Sequence, residues 1–126
     1  MEKPLEIGDI LHCSIIVKDT TLALAFYQDI LGLSVDHSRP DLGYPGAWLK
    51  VGGSQIHLLE LPNPDSMSIR PVHGGRDRHV ALAINDIELL RERLESTGTK
   101  YTLSKSGRKA LFTRDPDGNA LEFIQI

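Results

Sequence analysis

Residues 114–123 read Arg114-Asp115-Pro116-Asp117-Gly118-Asn119-Ala120-Leu121-Glu122-Phe123. The first half is a turn: Pro presets φ, the aspartates can bond their own backbone, and Gly accepts positive φ. The second half opens an apolar run, Ala120 to Ile126, that reads as a strand with one acid, Glu122, set inside it. A carboxylate among apolar neighbours on a strand is costly unless hydrogen-bonded or bound to a cation, so Glu122 is a candidate ligand. Working back along the chain, the run Ser54 to Leu61, Ser-Gln-Ile-His-Leu-Leu-Glu-Leu, has the same character and holds His57 where the later strand holds Glu122. Two further β-branched or apolar runs carry one histidine each, His12 in residues 10–17 and His79 in residues 78–84. His12 is answered by His79, and His57 by Glu122, at nearly the same offset, so the chain reads as a duplication in which each half offers two metal-binding side chains.

Periodicity fills in the rest. After the first strand, Thr20 onward carries Leu22, Ala25, Phe26 and Leu31 at helical spacing until Gly32 supplies a stop. Short extended stretches follow at about Leu33 to His37, Ala47 to Val51 and, beyond Gly52-Gly53, Ser54 to Leu61. The second half repeats this order: a strand over Arg78 to Ile84, a helix capped by Asp86 and ending at Gly98, then strands near Tyr101 to Ser104, Ala110 to Thr113 and Ala120 to Ile126. The prediction is an α+β fold of two tandem βαβββ modules, the first over about 10–62, the second over about 78–126. A polar connector over about 63–77 joins them, long enough to serve as a loop beside a site.

Composition bounds the function. A chain of 126 residues, 40% hydrophobic and 25% charged, has the make-up of one globular domain. Its net charge of −3, without a basic block, disfavours nucleic acid and anionic membranes as partners and leaves a small molecule as the expected ligand. No apolar stretch has transmembrane length and the opening residues show no signal-peptide pattern. The single Cys13 cannot form an internal disulfide, which fits a cytoplasmic protein, and it is expected to be a packed thiol on the face opposite His12. Strand alternation places His12 with Ser14 and Ile16, His57 with Gln55 and Leu59, His79 with Ala81 and Ala83, and Glu122 with Ile124. Glu60 belongs to the face opposite His57, and His37 and His73 fall at a strand end and in the connector, where solvated or capping roles are expected. Arg76, Arg78, Lys105, Arg108 and Lys109 read as surface charges, with recognition of an anionic substrate tail as the alternative. Alternation alone does not decide whether Tyr44, Trp48 and Phe112 are core or line a cup.

The paired modules, the motif around His12, Phe26-Tyr27 followed by Leu31-Gly32-Leu33, the strand Gln55 to Glu60 and the Asp-Pro-Asp-Gly-Asn-x-Leu-Glu ending resemble the vicinal oxygen chelate superfamily. That group includes glyoxalase I, methylmalonyl-CoA epimerase, extradiol dioxygenases, fosfomycin-resistance thiol transferases and bleomycin-resistance proteins. The likeness covers about Ile10 to Ile126. It implies a cup-shaped mixed sheet with helices outside, a homodimer that in many relatives exchanges modules between subunits, and a divalent metal (nickel, zinc, cobalt, manganese or ferrous iron) held by His12, His57, His79 and Glu122. Two adjacent coordination positions are then left for substrate oxygens. Glyoxalase I has a glutamate at the position of His57. Three neutral imidazoles and one carboxylate leave a divalent ion a net local charge of +1, which polarises oxygen more strongly but provides fewer bases. His57 can alternatively stand beside a two-histidine, one-carboxylate triad of His12, His79 and Glu122, a set suited to ferrous oxygenases. The resulting expectation is a glyoxalase-I-like lyase or isomerase with Glu122 as catalytic base. Its alternatives are a ferrous extradiol-type dioxygenase or thiol transferase, and a non-catalytic drug-binding resistance protein.

Overall fold

The computed structural model describes residues 3–65 and 68–126. The first module consists of β1 (His12–Val17), α1 (Thr20–Leu24) running directly into a π-helical turn (Ala25–Ile30), β2 (Ser34–Asp36), β3 (Gly46–Val51) and β4 (Ser54–Glu60). A 3-10 turn (Gly74–Arg76) interrupts the connector. The second module is β5 (His79–Ile84), α2 (Ile87–Ser96), β6 (Tyr101–Leu103), β7 (Ala110–Arg114) and β8 (Ala120–Gln125). This is the tandem βαβββ arrangement expected from the sequence.

Each module makes its own four-stranded sheet, in the order β1-β4-β3-β2 and β5-β8-β7-β6. The first and last strands of a module run parallel and the other pairs antiparallel. The registers are equivalent. Across the first sheet Ser14, His57, Trp48 and Asp36 stand side by side, and across the second Ala81, Glu122, Phe112 and Thr102. His12 and His79 each lie two residues ahead of that row on the same face. β1 and β5 are the outer strands of their sheets, and hydrogen bonding between strands stops there.

The helices form as their caps dictate. Asp19 accepts from the Leu22 N–H and Asp86 from the Leu89 N–H, each satisfying a donor that the first turn leaves free. The widening of the first helix into a π-turn was not expected from its spacing. It lets the adjacent Phe26 and Tyr27 both bury, which a regular amphipathic stripe does poorly. Helix residues Ala23, Phe26, Tyr27, Leu90 and Leu94 share one core with Leu49, Ile56 and Leu58 from the first sheet and Leu111, Leu121 and Phe123 from the second. These strand residues alternate with the histidine and glutamate positions, so both modules turn one face toward the common core and the other away from it. Cys13 packs against this core, and burial pushes its thiol pKa up.

The turn quoted at the outset joins the modules. Asp115 is buried and accepts from the Tyr27 hydroxyl at 2.7 Å and from the Asn119 side chain at 2.9 Å. Asn119 also donates to the Ile16 carbonyl, and the Lys18 N–H donates to Asp117. Among the described residues no helix is long and apolar enough to cross a membrane.

Candidate metal centre

The first pair of candidate ligands lies on β1 and β4. His12 is exposed near the edge of the sheet, and its ring stacks on His57 at 4.0 Å between centroids with 14° between planes. The other face of His57 stacks on Trp48, at 4.5 Å and 9°. Trp48 therefore lines the histidine face and is not core. Gln55, on the same face, sits with Oε1 2.7 Å from His57 Nε2 and donates through Nε2 to Asp36 Oδ2 at 2.8 Å. Asp36 also accepts from the backbone N–H and hydroxyl of Ser38, and these bonds with that from Gln55 hold its carboxyl below the usual range. Burial, the neighbouring His12 and Arg39 hold His57 below the ordinary imidazole pKa.

The second pair lies on β5 and β8. The Nδ1 of His79 is 2.9 Å from the Asp77 carbonyl oxygen, an acceptor only, so Nδ1 carries the hydrogen. Its Nε2 then faces Glu122 Oε1 at 3.3 Å. A neutral imidazole so placed sets two lone-pair acceptors against each other, an arrangement that a proton or a metal ion between them resolves. Glu122 is only 3% exposed. Its second oxygen, Oε2, is buried with no hydrogen-bond partner, and the Arg108 guanidinium approaches it only to 3.6 Å. A buried carboxylate with one oxygen unpartnered and the other facing an imidazole nitrogen fits a divalent cation by donor chemistry and by charge.

The connector covers part of this second face. Gly74 lies so close to β7 and β8 that a Cβ there would come within 3.2 Å of Phe112 Cβ and 3.4 Å of Ala120 Cβ. His73, set aside in the sequence as a cap, accepts from the Gly75 N–H and packs on Phe112. Phe112 also meets His79 edge-on at 5.1 Å. Asp77 anchors the segment by accepting from Arg70 and Arg114, and Arg114 also donates to the carbonyls of Pro71 and Gly118. A cleft of about 880 Å³ opens beside the connector, lined by Arg70, Pro71, Gly74, Thr102, Phe112 and Arg114 among others.

The sequence led us to expect four ligands closing on one point. Within one chain the four candidates lie as two pairs on separate sheets, and no group of three metal-binding side chains forms among the described residues. The physical reason is the shared core: each sheet buries its opposite face there, which leaves the paired faces directed away from it. Within the first pair the rings are stacked and do not converge. Arg108, read as surface charge, is still 59% exposed at its side chain yet reaches Glu122. Gln55 and Asp36 were missed as partners of His57, although Gln55 was legible by its shared face. Asp36 reaches the row only through the β2–β3 register.

The duplicated sheet defines a tandem βαβββ fold of the glyoxalase type. The chain belongs to the Glyoxalase/Bleomycin resistance protein/Dioxygenase superfamily, whose model matches residues 9–123. It is 30% identical to lactoylglutathione lyase of Haemophilus influenzae over 124 residues, 92% of this chain and 91% of that protein. It is 28% identical to Glyoxylase I 4 of Arabidopsis thaliana, over 94% of this chain and 71% of the relative. In fold it is similar to a glutamate-to-glutamine mutant of fosfomycin resistance protein FosX of Listeria monocytogenes, solved with Mn(II) and 1S,2S-dihydroxypropylphosphonic acid. That likeness has a TM-score of 0.75 and 20% identity, covering 95% of this chain and 93% of the other.

Proposed function

We propose that this protein is a divalent-metal-dependent enzyme of glyoxalase-I type, a lyase or isomerase acting on a small substrate that chelates the metal through adjacent oxygens. The observation that carries the reading is the buried Glu122 carboxylate, with Oε2 unpartnered and Oε1 facing the Nε2 of a histidine whose other nitrogen is already committed. His12 from one module and His79 and Glu122 from another are the residues proposed to hold the ion, with His57 stacked beside His12. Since one chain turns the two pairs away from its core on separate sheets, we propose that a second copy supplies the facing pair. The homodimer then forms two cups, each closed along the free edges of β1 and β5.

His12, His79 and Glu122 would hold the divalent ion, which would supply Lewis-acid polarisation of the substrate oxygens and so make the neighbouring carbon more acidic. The Glu122 oxygen without a hydrogen bond is the group proposed to take up the released proton. Phe112 and Trp48 flank the two pairs and exclude water from part of the cup, while the cleft beside the connector receives the rest of the substrate. A cytoplasmic location agrees with the single free cysteine.

A second reading has its own observation. Because His57 is stacked on His12, the set His12, His79 and Glu122 is available as a two-histidine, one-carboxylate triad, which favours ferrous dioxygenase or thiol-transferase chemistry. Elemental analysis of protein purified without added metal tests the common premise. About one divalent ion per chain is expected in the wild type, with strong loss in both His12→Ala and Glu122→Ala. Metal-free wild type, or undiminished metal in both variants, rejects enzyme and triad alike. Parallel assays with a hemithioacetal and, in air, with a catechol then separate the two reactions.

A further inference from the structure

We propose that His57 is a positioning residue and not a metal ligand: Gln55 and Asp36 fix its tautomer, and its ring forms a plate between Trp48 and His12 that sets the plane of the His12 imidazole. The inference rests on the metal site proposed above and assigns one residue within it a different task.

Geometry carries the argument. An imidazole binds a metal along a nitrogen lone pair, in the ring plane, at about 2.0–2.1 Å. The His12 and His57 planes are inclined by 14° with centroids 4.0 Å apart, so they intersect only on the order of 15 Å away, far outside any metal–nitrogen bond. The two rings as stacked cannot both point at one ion. Rotating His57 out of the stack would forfeit contact with both aromatic faces and its bond to Gln55.

The hydrogen bonds agree. Asp36 is ionised and accepts only, so the Gln55 amide turns its NH₂ toward Asp36 and its oxygen toward His57. That oxygen requires a hydrogen on His57 Nε2, which removes Nε2 as a ligand. His12, by contrast, lies at the exposed strand end with one face held by the stack and its edge free. His57, itself held flat against Trp48, narrows the orientations of His12 from one face much as a hydrogen-bonded outer partner narrows those of a ligating histidine.

The test uses full-length protein labelled with ¹⁵N at histidine, titrated with Zn(II). In the metal-free protein, long-range ¹H–¹⁵N correlation should show His57 as the Nε2–H tautomer, and Gln55→Ala should admit the other. On adding zinc, one nitrogen each of His12 and His79 should take the shift of a coordinated nitrogen, while His57 keeps its tautomer. His57→Phe, which keeps a flat ring and removes both nitrogens, should bind zinc within about threefold of wild type, whereas His57→Ala should weaken it about tenfold, in the range for an outer partner. A coordinated-nitrogen shift at His57, or a His57→Phe variant that folds by circular dichroism yet loses zinc as His12→Phe does, overturns the assignment. Wild type that binds no zinc defeats the metal reading and this inference with it. Failure of this inference alone is distinguished by wild type that binds zinc with His57 as a ligand.

Discussion

Tyr27→Phe isolates one of the bonds that tie the two modules together. The Tyr27 ring is fully buried against Phe26, and its hydroxyl donates to Asp115 Oδ2 at 2.7 Å, across 88 positions of sequence. Phenylalanine keeps the ring and deletes one donor to a buried carboxylate. A hydrogen bond to a charged group contributes about 1.5–3 kcal/mol, and Asp115 keeps its donors from Asn119 and the Asp117 N–H, so a loss of about 2 kcal/mol is expected. For a chain of this size that corresponds to a fall in Tm of roughly 8 °C. The loss depends on pH. Burial holds Asp115 above the ordinary carboxylate range although Asn119, Tyr27 and Asp117 pull the other way, and removing Tyr27 pushes it higher still. The donor therefore stabilises the fold fully where folded Asp115 is ionised, and the gap between wild type and variant narrows as pH falls through the folded pKa. Urea unfolding at neutral and mildly acidic pH measures both quantities. A neutral-pH difference below about 0.5 kcal/mol, or one that does not shrink in acid, would refute the reasoning.

Gly46→Ala should be among the most damaging single changes, because its Cβ would fall on the Leu58 carbonyl oxygen within the β3–β4 ladder; a loss of about 3 kcal/mol or more in chemical unfolding is expected. Asp77→Asn should cost about 2 kcal/mol at neutral pH by uncoupling Arg70 and Arg114 from the connector, and should speed limited proteolysis between Pro62 and Asp77. Burial works to raise the Asp77 pKa, but bonds from Arg114, Arg70 and the Arg78 N–H hold it below the ordinary value. Its stabilisation is therefore present above the unfolded carboxylate pKa and disappears as pH falls through the folded one, where the variant and wild type should converge. Leu94→Ala, at a fully buried position of α2, should lose about 3 kcal/mol in the same assay without changing metal content.

Much of this molecule was legible from residue patterns. Alternation around His12, His57, His79 and Glu122 placed each on the strand and face where it stands, and the Asp-Pro-Asp-Gly turn delivered β8 as expected. Asp86 caps the second helix as expected, and Asp19, which the residue pattern had not singled out, caps the first in the same way. Three features lay beyond such patterns because they depend on long-range packing. The π-turn follows from the need to bury neighbouring Phe26 and Tyr27 together, which period alone does not express. Stacking of His12, His57 and Trp48 depends on the β3–β4 register and on rotamers. Separation of the four candidate residues into two pairs depends on which faces the modules share as core, and alternation gives the same answer for either packing. The connector was read as a loop beside a site; the seating of Gly74 on Phe112 and the Asp77 anchors gave it a defined place there.

The central claim, that one metal is enclosed by His12 from one copy and Glu122 from another, is tested most directly by mixing defects. His12→Ala and Glu122→Ala chains carrying different affinity tags are co-expressed, the heterodimer is isolated through both tags, and its metal is measured beside that of each homodimer. The account predicts that both homodimers are nearly empty while the heterodimer regains one site of its two, built from the intact His12 of one chain and the intact Glu122 of the other. A heterodimer as empty as its parents, or the absence of any dimer, would contradict it.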